Sequence, residues 1–257
     1  ILGCNLEGPF INGKYKGAHD DKFIIPPDLE MLRPYLGVIR LLTVAPEIEG
    51  ALDFIRQLVE AGIVVSLGHS NATYAEAAKG IEAGATHITH LFNGMTPLHH
   101  REPGMVGAAL GHDVYCELIV DNIHIAPAIQ RLVLKIKGVE RVVLVTDAMR
   151  ACLLADGTYD LGGLVVHVKD RQARLENGTL AGSTLVMNQA LRNFRRNTGL
   201  PLEEVIKLAT VNPARILRLE NQKGRIAPGY DADMVLWDDD FNIIQTFVAG
   251  ERVFART

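Results

Sequence analysis

Residues 63–69 read Ile-Val-Val-Ser-Leu-Gly-His, a short apolar run that ends at a glycine and a histidine. An apolar run of this length, rich in β-branched residues, is typical of a strand buried in a parallel sheet. The flanking segments favour helices, because residues 49–61 precede Gly62 and residues 73–83 precede Gly84, and glycine is preferred just after a helix. The stretch predicts a strand between two helices, with a histidine where the strand ends.

The same alternation recurs along the first 146 residues. Strands that alternate with helices predict a parallel sheet with right-handed crossovers. The predicted strands are residues 1–6, 38–44, 63–67, 86–91, 115–120 and 141–146, and the predicted helices are residues 28–35, 49–61, 73–83 and 126–137.

The pattern changes after Asp147. Alternating polar and apolar residues with turn glycines predict a hairpin-like insertion over residues 162–180. Helices are predicted over residues 185–197, 202–209 and 213–217, and strands over 234–237, 243–249 and 252–255. We therefore expect a main domain over residues 1–222 and a small β segment over residues 223–257.

Polar side chains stand at or near the ends of five predicted strands. A charged or imidazole side chain after successive parallel strands is the layout of an active site on a (β/α)8 barrel. A doubly wound sheet, the alternative, concentrates its site at one crevice. The sequence therefore favours a TIM-like barrel. The residues concerned are Glu7, His69, His90, Asp121 and Asp147.

Glu7, His69 and His90 form a candidate metal site. Catalytic zinc sites use three nitrogen or oxygen ligands and leave a position for water, whose pKa the metal lowers. Asp147 could then carry a proton from that water to a leaving group. Each residue alone has a simpler interpretation: a buried histidine is often structural, and Asp147 could cap a helix.

Composition excludes several classes of function. A net charge of −4 over 257 residues argues against a nucleic-acid partner. No apolar run approaches the roughly 18 residues that cross a membrane. No glycine-rich phosphate motif points to a nucleotide cofactor. The three cysteines are odd in number and lack CxxC spacing, which favours a reducing compartment such as the cytoplasm.

Seven stretches of the chain together resemble one known family. The stretches are residues 5–10 (Asn-Leu-Glu-Gly-Pro-Phe), 16–19 (Lys-Gly-Ala-His), 68–73 (Gly-His-Ser-Asn-Ala-Thr), 89–95 (Thr-His-Leu-Phe-Asn-Gly-Met), 101–104 (Arg-Glu-Pro-Gly), 145–149 (Val-Thr-Asp-Ala-Met) and 180–183 (Leu-Ala-Gly-Ser). In this order they closely resemble the N-acetylglucosamine-6-phosphate deacetylase family of the amidohydrolase superfamily. Residues 224–233 are similar to the returning β-sandwich segment of that superfamily.

The resemblance implies metal-dependent hydrolysis of N-acetylglucosamine 6-phosphate to glucosamine 6-phosphate and acetate, in amino-sugar catabolism and recycling. It implies Glu7, His69 and His90 as ligands of a divalent metal, zinc being expected before iron, cobalt or manganese. Asp147 would be general base and then acid, and His124 would contact the sugar and help polarise the amide. The implied substrate-binding residues are Ala18, His19, Asn93, Gly94, Arg101, Asp121, His124, Leu180, Ala181 and Gly182.

The resemblance also implies a homodimer, with Arg101 meeting the phosphate near the subunit boundary. Because a closed barrel needs eight strands and six are predicted, we expect the first strands to precede residue 1. Two alternatives stay open: an amidohydrolase for another N-acyl substrate, and a non-catalytic barrel with a structural metal. His87 is expected to pack on the face opposite His90. His99 and His100 are expected in a solvated loop, and His112 and His167 carry no motif.

Overall fold

The structure is a computed structural model that describes residues 1–256. Two compact units divide the chain: Ile1–Glu117 with Asp147–Thr184, and Leu118–Thr146 with the chain from Leu185 onward. Residue 257, the last of the predicted C-terminal segment, lies outside the described residues. None of the helices in the described chain has the length and apolar character needed to cross a membrane.

Short strands build a parallel sheet in the first unit, as predicted, and β1 is its most exposed strand. The strands are β1 (Cys4–Glu7), β2 (Ile39–Val44), β3 (Val64–Leu67), β4 (His87–Ile88) and β5 (Tyr115–Ile119). Each pairs in parallel with the next, and β5 runs on into the second unit, where β6 (Val142–Val145) is its neighbour in the sheet order. The apolar side chains of β2 and β3 are buried, which explains why both segments are mostly apolar in sequence.

Four helices belong to the first unit: α1 (Leu29–Leu32), α2 (Ala51–Glu60), α3 (Tyr74–Glu82) and α4 (Gly104–Gly111). The predicted glycine stops are confirmed, since Gly62 and Gly84 follow α2 and α3 with φ of 81° and 118°. α3 begins with a capping box, in which Thr73 accepts from the backbone N–H of Glu76 and Glu76 accepts from that of Thr73. Local sequence thus fixes where α3 begins after His69.

The second unit holds β6, the four helices α5 (Pro127–Lys137), α6 (Met187–Thr198), α7 (Leu202–Lys207) and α8 (Val211–Ile216), and a separate sheet. That sheet is antiparallel and consists of β10 (Met234–Trp237), β11 (Ile243–Val248) and β12 (Glu251–Ala255). These elements were predicted to within a few residues.

Two sequence expectations were wrong in detail. α4 was not predicted, because its sequence is rich in glycine and alanine and its buried residues show no helical apolar stripe. The insertion starts earlier than residue 162 and forms a three-stranded antiparallel sheet of β7 (Gly157–Leu161), β8 (Leu164–Lys169) and β9 (Gln172–Leu175).

The fourth predicted strand is also shorter than expected. β4 ends at Ile88, so His90 follows the strand rather than lying in it, as residues 86–91 had predicted. The backbone turns there, with φ of 28° at His90 and 80° at Phe92. Because the strand does not continue, the period-two argument that placed His87 opposite His90 does not apply.

Candidate metal centre and its surroundings

Three side chains of the first unit converge on one point. Glu7 lies at the end of β1, while His69 and His90 follow β3 and β4. Nε2 of His69 lies 2.8 Å from Oε1 of Glu7, and Nε2 of His90 lies 3.3 Å from the same oxygen. The two Nε2 atoms are 3.0 Å apart. The residues predicted as metal ligands are therefore brought together through one oxygen and two nitrogens.

The hydrogen bond on the far side of His69 determines which nitrogen faces Glu7. Nδ1 of His69 donates to the backbone carbonyl of Tyr15 at 2.8 Å, since a carbonyl can only accept. In the neutral ring Nε2 is therefore a bare acceptor that faces a carboxylate oxygen. Two acceptors at this distance repel each other unless a proton or a cation lies between them.

Burial and mutual contact shift the pKa values of the three groups. Burial alone would raise the pKa of Glu7, but its close contacts with the imidazole rings of His69 and His90 hold that pKa well below its usual range. Burial lowers the pKa of His69. Burial also acts to lower the pKa of His90, but Glu7, Asp147 and Glu117 outweigh it and raise that pKa to about 9. The surroundings therefore favour the carboxylate form of Glu7 beside the two imidazole rings.

The donor set fits a divalent cation. Ligands held by zinc at about 2.0–2.1 Å lie roughly 3.3 Å apart in a tetrahedron, close to the separations seen here. Two imidazoles with a carboxylate also suit iron, cobalt or manganese. His19 offers a further ring nitrogen, and ligand atoms of Glu7, His19 and His69 all lie within 4.8 Å of one another.

Asp147 lies close to His90 and beside a second predicted segment. Its charge contributes to the raised pKa of His90. Its backbone carbonyl accepts from the N–H of Ser183 at 2.6 Å, and Ala148 and Ser183 form a parallel bridge. A Cβ on Gly182 would lie 2.9 Å from the Asp147 carbonyl, so glycine permits this close approach. The two predicted segments, residues 145–149 and 180–183, are thus adjacent.

Several predicted pocket residues surround the triad. His19 places Nδ1 2.7 Å from the carbonyl of Lys16 and Nε2 3.2 Å from the carbonyl of Glu7. Ala18 packs against the buried cluster that contains Ala181.

The segment after His90 is held close to His69. The side-chain amide of Asn93 donates to the carbonyls of His90 and Leu91 at 3.2 and 3.3 Å. A Cβ on Gly94 would lie 2.9 Å from Nδ1 of His69, so glycine leaves room for that ring. Leu180 is half-buried and bridges to Arg174.

Arg101 lies in an exposed loop, as do His99 and His100. Its guanidinium contacts Nε2 of His100 at 2.6 Å, and its backbone N–H donates to Nδ1 of His99 at 3.3 Å. The rings of the two histidines have centroids 4.2 Å apart. The loop therefore presents a cationic side chain, and its histidines are solvated as expected.

Asp121 and His124 form a pair within the second unit. Oδ1 of Asp121 accepts from the backbone N–H groups of Ile123 and His124 at 2.8 Å each, and Oδ2 accepts from Nδ1 of His124 at 2.7 Å. Burial acts to raise the pKa of Asp121, but these hydrogen bonds, led by that from the His124 side chain, lower it. Both oxygens of Asp121 are engaged in this loop, and Oδ2 holds the ring of His124 through its Nδ1.

Sequence reasoning missed two carboxylates near the triad. Glu117 on β5 accepts from Nε2 of His87 at 2.9 Å and from the backbone N–H of His90 at 3.1 Å. Glu47 accepts from Ser70 and from the backbone N–H of Asn71, just after His69. A charged residue inside the apolar run of residues 114–120 was the available signal for Glu117, whereas nothing in the sequence links Glu47 to residues 70 and 71.

A parallel sheet with a His–His–carboxylate cluster at its strand ends is a layout typical of metal-dependent hydrolases. A model of the amidohydrolase family matches residues 36–253, and the chain belongs to that family. It is similar to N-acetylglucosamine-6-phosphate deacetylase of Lysinibacillus sphaericus, with 42% identity over 97% of this chain and 66% of the relative. The chain therefore spans about two thirds of the length of that relative.

Two further comparisons bear on the substrate. N-acetylgalactosamine-6-phosphate deacetylase of Escherichia coli O157:H7 is 40% identical over 98% of this chain and 68% of the relative. A mutant of the N-acetyl-D-glucosamine-6-phosphate deacetylase from Mycobacterium smegmatis, solved with N-acetyl-D-glucosamine 6-phosphate, is 42% identical with a TM-score of 0.94. That match covers 98% of this chain and 68% of the solved chain.

Proposed function

We propose that this chain carries the catalytic centre of a metal-dependent deacetylase. Its substrate would be N-acetylglucosamine 6-phosphate, and its products glucosamine 6-phosphate and acetate, in amino-sugar catabolism and recycling. The observation that carries the proposal is the convergence of Glu7, His69 and His90 through one oxygen and two nitrogens. The activities named for similar proteins support the choice of substrate.

Glu7, His69 and His90 would hold a divalent metal, with zinc as the first candidate and iron, cobalt or manganese as others. Bound there, the cation would polarise the amide carbonyl and lower the pKa of the attacking water. The Tyr15 carbonyl keeps His69 in the tautomer that offers Nε2. No nucleotide cofactor enters this scheme.

Asp147 would move the proton. As general base it would take a proton from the water that attacks the acetyl carbon, and as acid it would give that proton to the leaving nitrogen. The carbon–nitrogen bond would then break without expelling an amide anion. The electrostatic effect of Asp147 on His90 supports this role, because it places the charge of Asp147 within reach of the candidate ligands.

Substrate contacts are assigned from the family motifs and from local geometry. Arg101 would bind the phosphate, since a guanidinium fork matches phosphate oxygens. His124, oriented by Asp121, would contact the sugar and help polarise the amide. Asp121 would belong to the same part of the substrate site, where it holds the ring of His124. The other pocket residues would be Ala18, His19, Asn93, Gly94, Leu180, Ala181 and Gly182.

The finer architecture is part of the same proposal. We infer that the parallel sheet belongs to a (β/α)8 barrel over residues 1–222 and that residues 223–257 belong to a β-sandwich. The enzyme would be a cytoplasmic homodimer that binds a small phosphosugar and neither nucleic acid nor membrane. These proposals go beyond the family membership, which rests on the match over residues 36–253.

A second candidate substrate is N-acetylgalactosamine 6-phosphate, favoured by the 40% identity to a deacetylase named for it. The two sugars differ at one hydroxyl, so the same cation site and Asp147 would serve both. A comparison of kcat/KM for the two 6-phosphates would decide between them, and the proposal expects the gluco isomer to be preferred.

The proposal is tested by following acetate release from N-acetylglucosamine 6-phosphate, with and without added zinc. We expect metal-stimulated turnover and no turnover by a His69→Ala, His90→Ala double variant. Unphosphorylated N-acetylglucosamine serves as the comparison substrate and should react poorly. Turnover that persists in the double variant would overturn the metal-dependent mechanism, and equal rates with and without the phosphate would overturn the phosphosugar assignment.

A further inference from the structure

His90 lies in a sharp turn that needs support from outside the strand. β4 ends at Ile88, and the positive φ values at His90 and Phe92 take the backbone out of the sheet. Backbone N–H groups that a longer strand would have paired must then find other acceptors. The direction of the His90 side chain depends on how those N–H groups are held.

Glu117 accepts hydrogen bonds from two successive N–H groups of this turn. Its Oε2 accepts from the N–H of His90 at 3.1 Å, and its backbone carbonyl accepts from the N–H of Leu91 at 2.9 Å. A side chain thus takes over the role that a strand neighbour would have had. The position of His90 is tied to β5 through this one residue.

His87 orients the carboxylate of Glu117. Its Nε2 donates to Oε1 of Glu117 at 2.9 Å, and the two side chains are only 1% and 9% exposed. Nδ1 of His87 is buried and has no hydrogen-bond partner among residues 1–256. The proton of the neutral ring therefore belongs on Nε2, where the carboxylate can accept it. With Oε1 engaged in this way, Oε2 is turned toward His90.

Stability alone does not account for a buried carboxylate and imidazole at these strand positions. Apolar side chains of similar volume usually replace a buried polar pair without loss of stability. Here the pair connects directly to a candidate ligand, and partners outside the ligand set commonly change metal affinity 10–100-fold. The contacts therefore indicate that Glu117 and His87 determine the position of the His90 side chain.

We propose that Glu117, oriented by His87, is a positioning residue that fixes the His90 turn and so aims Nε2 of His90 at Glu7 and His69. This inference rests on the proposed metal-dependent function. It predicts that cation affinity depends on an acceptor at position 117 and on a donor at position 87, although neither side chain touches the cation.

The test is a Co²⁺ titration of protein from which metal has been removed, followed by visible absorption and by competition with a chelator of known affinity. Glu117→Leu should weaken Co²⁺ binding about 10–100-fold. Glu117→Gln should stay within about threefold of the wild type. Its amide oxygen can still accept from the N–H of His90, and its NH2 can donate to Nε2 of His87 once the proton of that ring moves to Nδ1. His87→Phe keeps a ring but removes the donor, and should weaken binding at least about threefold.

Leu58→Ala is the matched control for a general loss of stability. Leu58 is fully buried in α2, so its truncation lowers the melting temperature, and it should leave Co²⁺ affinity unchanged. Wild-type affinity in both Glu117→Leu and His87→Phe would overturn the inference, as would an equal loss in Leu58→Ala. Should Glu117→Leu fail to fold, His87→Phe and Glu117→Gln decide alone. Failure of the proposed function is distinguishable from failure of this inference. If the wild type binds no Co²⁺, the proposed metal-dependent function is wrong. If the wild type binds Co²⁺ and the variants bind it equally well, only the positioning role of Glu117 is wrong.

Discussion

The backbone carbonyl of Tyr15 accepts a hydrogen bond from Nδ1 of His69 at 2.8 Å, and Nε2 on the other side of the ring lies 2.8 Å from Oε1 of Glu7. The first contact requires the proton on Nδ1, so the second is made by a bare nitrogen in the neutral ring. A tautomer fixed in this way is the one that binds a cation through Nε2. This relationship is the local basis for the metal centre that we propose at Glu7, His69 and His90.

The first prediction concerns Asp147. Asp147→Asn should lower kcat by about 10²–10⁴-fold, because the amide can neither take nor deliver the proton. Metal content should stay at the wild-type value, since the three candidate ligands are unchanged. Steady-state kinetics and elemental analysis of the same sample check both halves. Full turnover by this variant would favour the alternative in which the metal is only structural.

The second prediction concerns Arg101. Arg101→Ala should raise KM for the 6-phosphate substrate by about 10–100-fold, the loss expected for hydrogen bonds to a charged group. Arg101→Lys is the matched control that keeps the charge and should recover part of the affinity. The reaction with unphosphorylated N-acetylglucosamine should not change. An unchanged KM for the 6-phosphate in Arg101→Ala would remove this residue from the phosphate site.

The third prediction is a pH dependence of stability at Asp121. Its pKa in the folded protein is lowered from the ordinary value of 3.8, against the effect of burial, by hydrogen bonds from His124. The stabilisation is therefore fully present above pH 3.8 and is lost as the pH falls through the lower folded value.

Urea unfolding at a series of pH values from 7 down to 2 measures this contribution. Asp121→Asn should cost about 1–3 kcal/mol near neutral pH, and the difference from the wild type should shrink at the acid end. Asp239→Asn, at an exposed aspartate, serves as the control. A constant difference across the pH range would show that the carboxylate charge of Asp121 does not contribute.

The fourth prediction concerns the capping box of α3. Thr73→Ala should lower the free energy of unfolding by about 1 kcal/mol, because the N–H of Glu76 loses its acceptor. Combining it with Glu76→Ala in a double-mutant cycle should reveal coupling between the two residues. Lys79→Ala, an exposed change in the same helix, should stay within about 0.5 kcal/mol of the wild type. Additive effects of the first two substitutions would contradict a reciprocal cap.

Much of the fold and of the site follows from local sequence. Short apolar runs predicted the strands, and glycine at 62 and 84 predicted where two helices end, because positive φ is easy only for glycine. The convergence of Glu7, His69 and His90 was expected from their positions at or near strand ends. That convergence is a consequence of topology, since parallel strands bring their carboxyl ends to one edge.

Other features depend on tertiary contacts that no local pattern encodes. The end of β4 at Ile88 could not be predicted, and the strand was expected over residues 86–91. The reason is that the turn at His90 is stabilised by Glu117, 27 positions away along the chain. α4 is held by burial rather than by an amphipathic stripe. The tautomer of His69 depends on a backbone carbonyl, which any residue at position 15 would supply.

The most direct test of the metal centre is the metal content of the protein after incubation with zinc and removal of unbound ion. The account predicts at least one tightly bound zinc per chain in the wild type and its loss in His69→Ala, with His112→Ala as a control that retains it. Absence of bound zinc in the wild type, or an unchanged content in His69→Ala, would contradict a metal centre built on Glu7, His69 and His90.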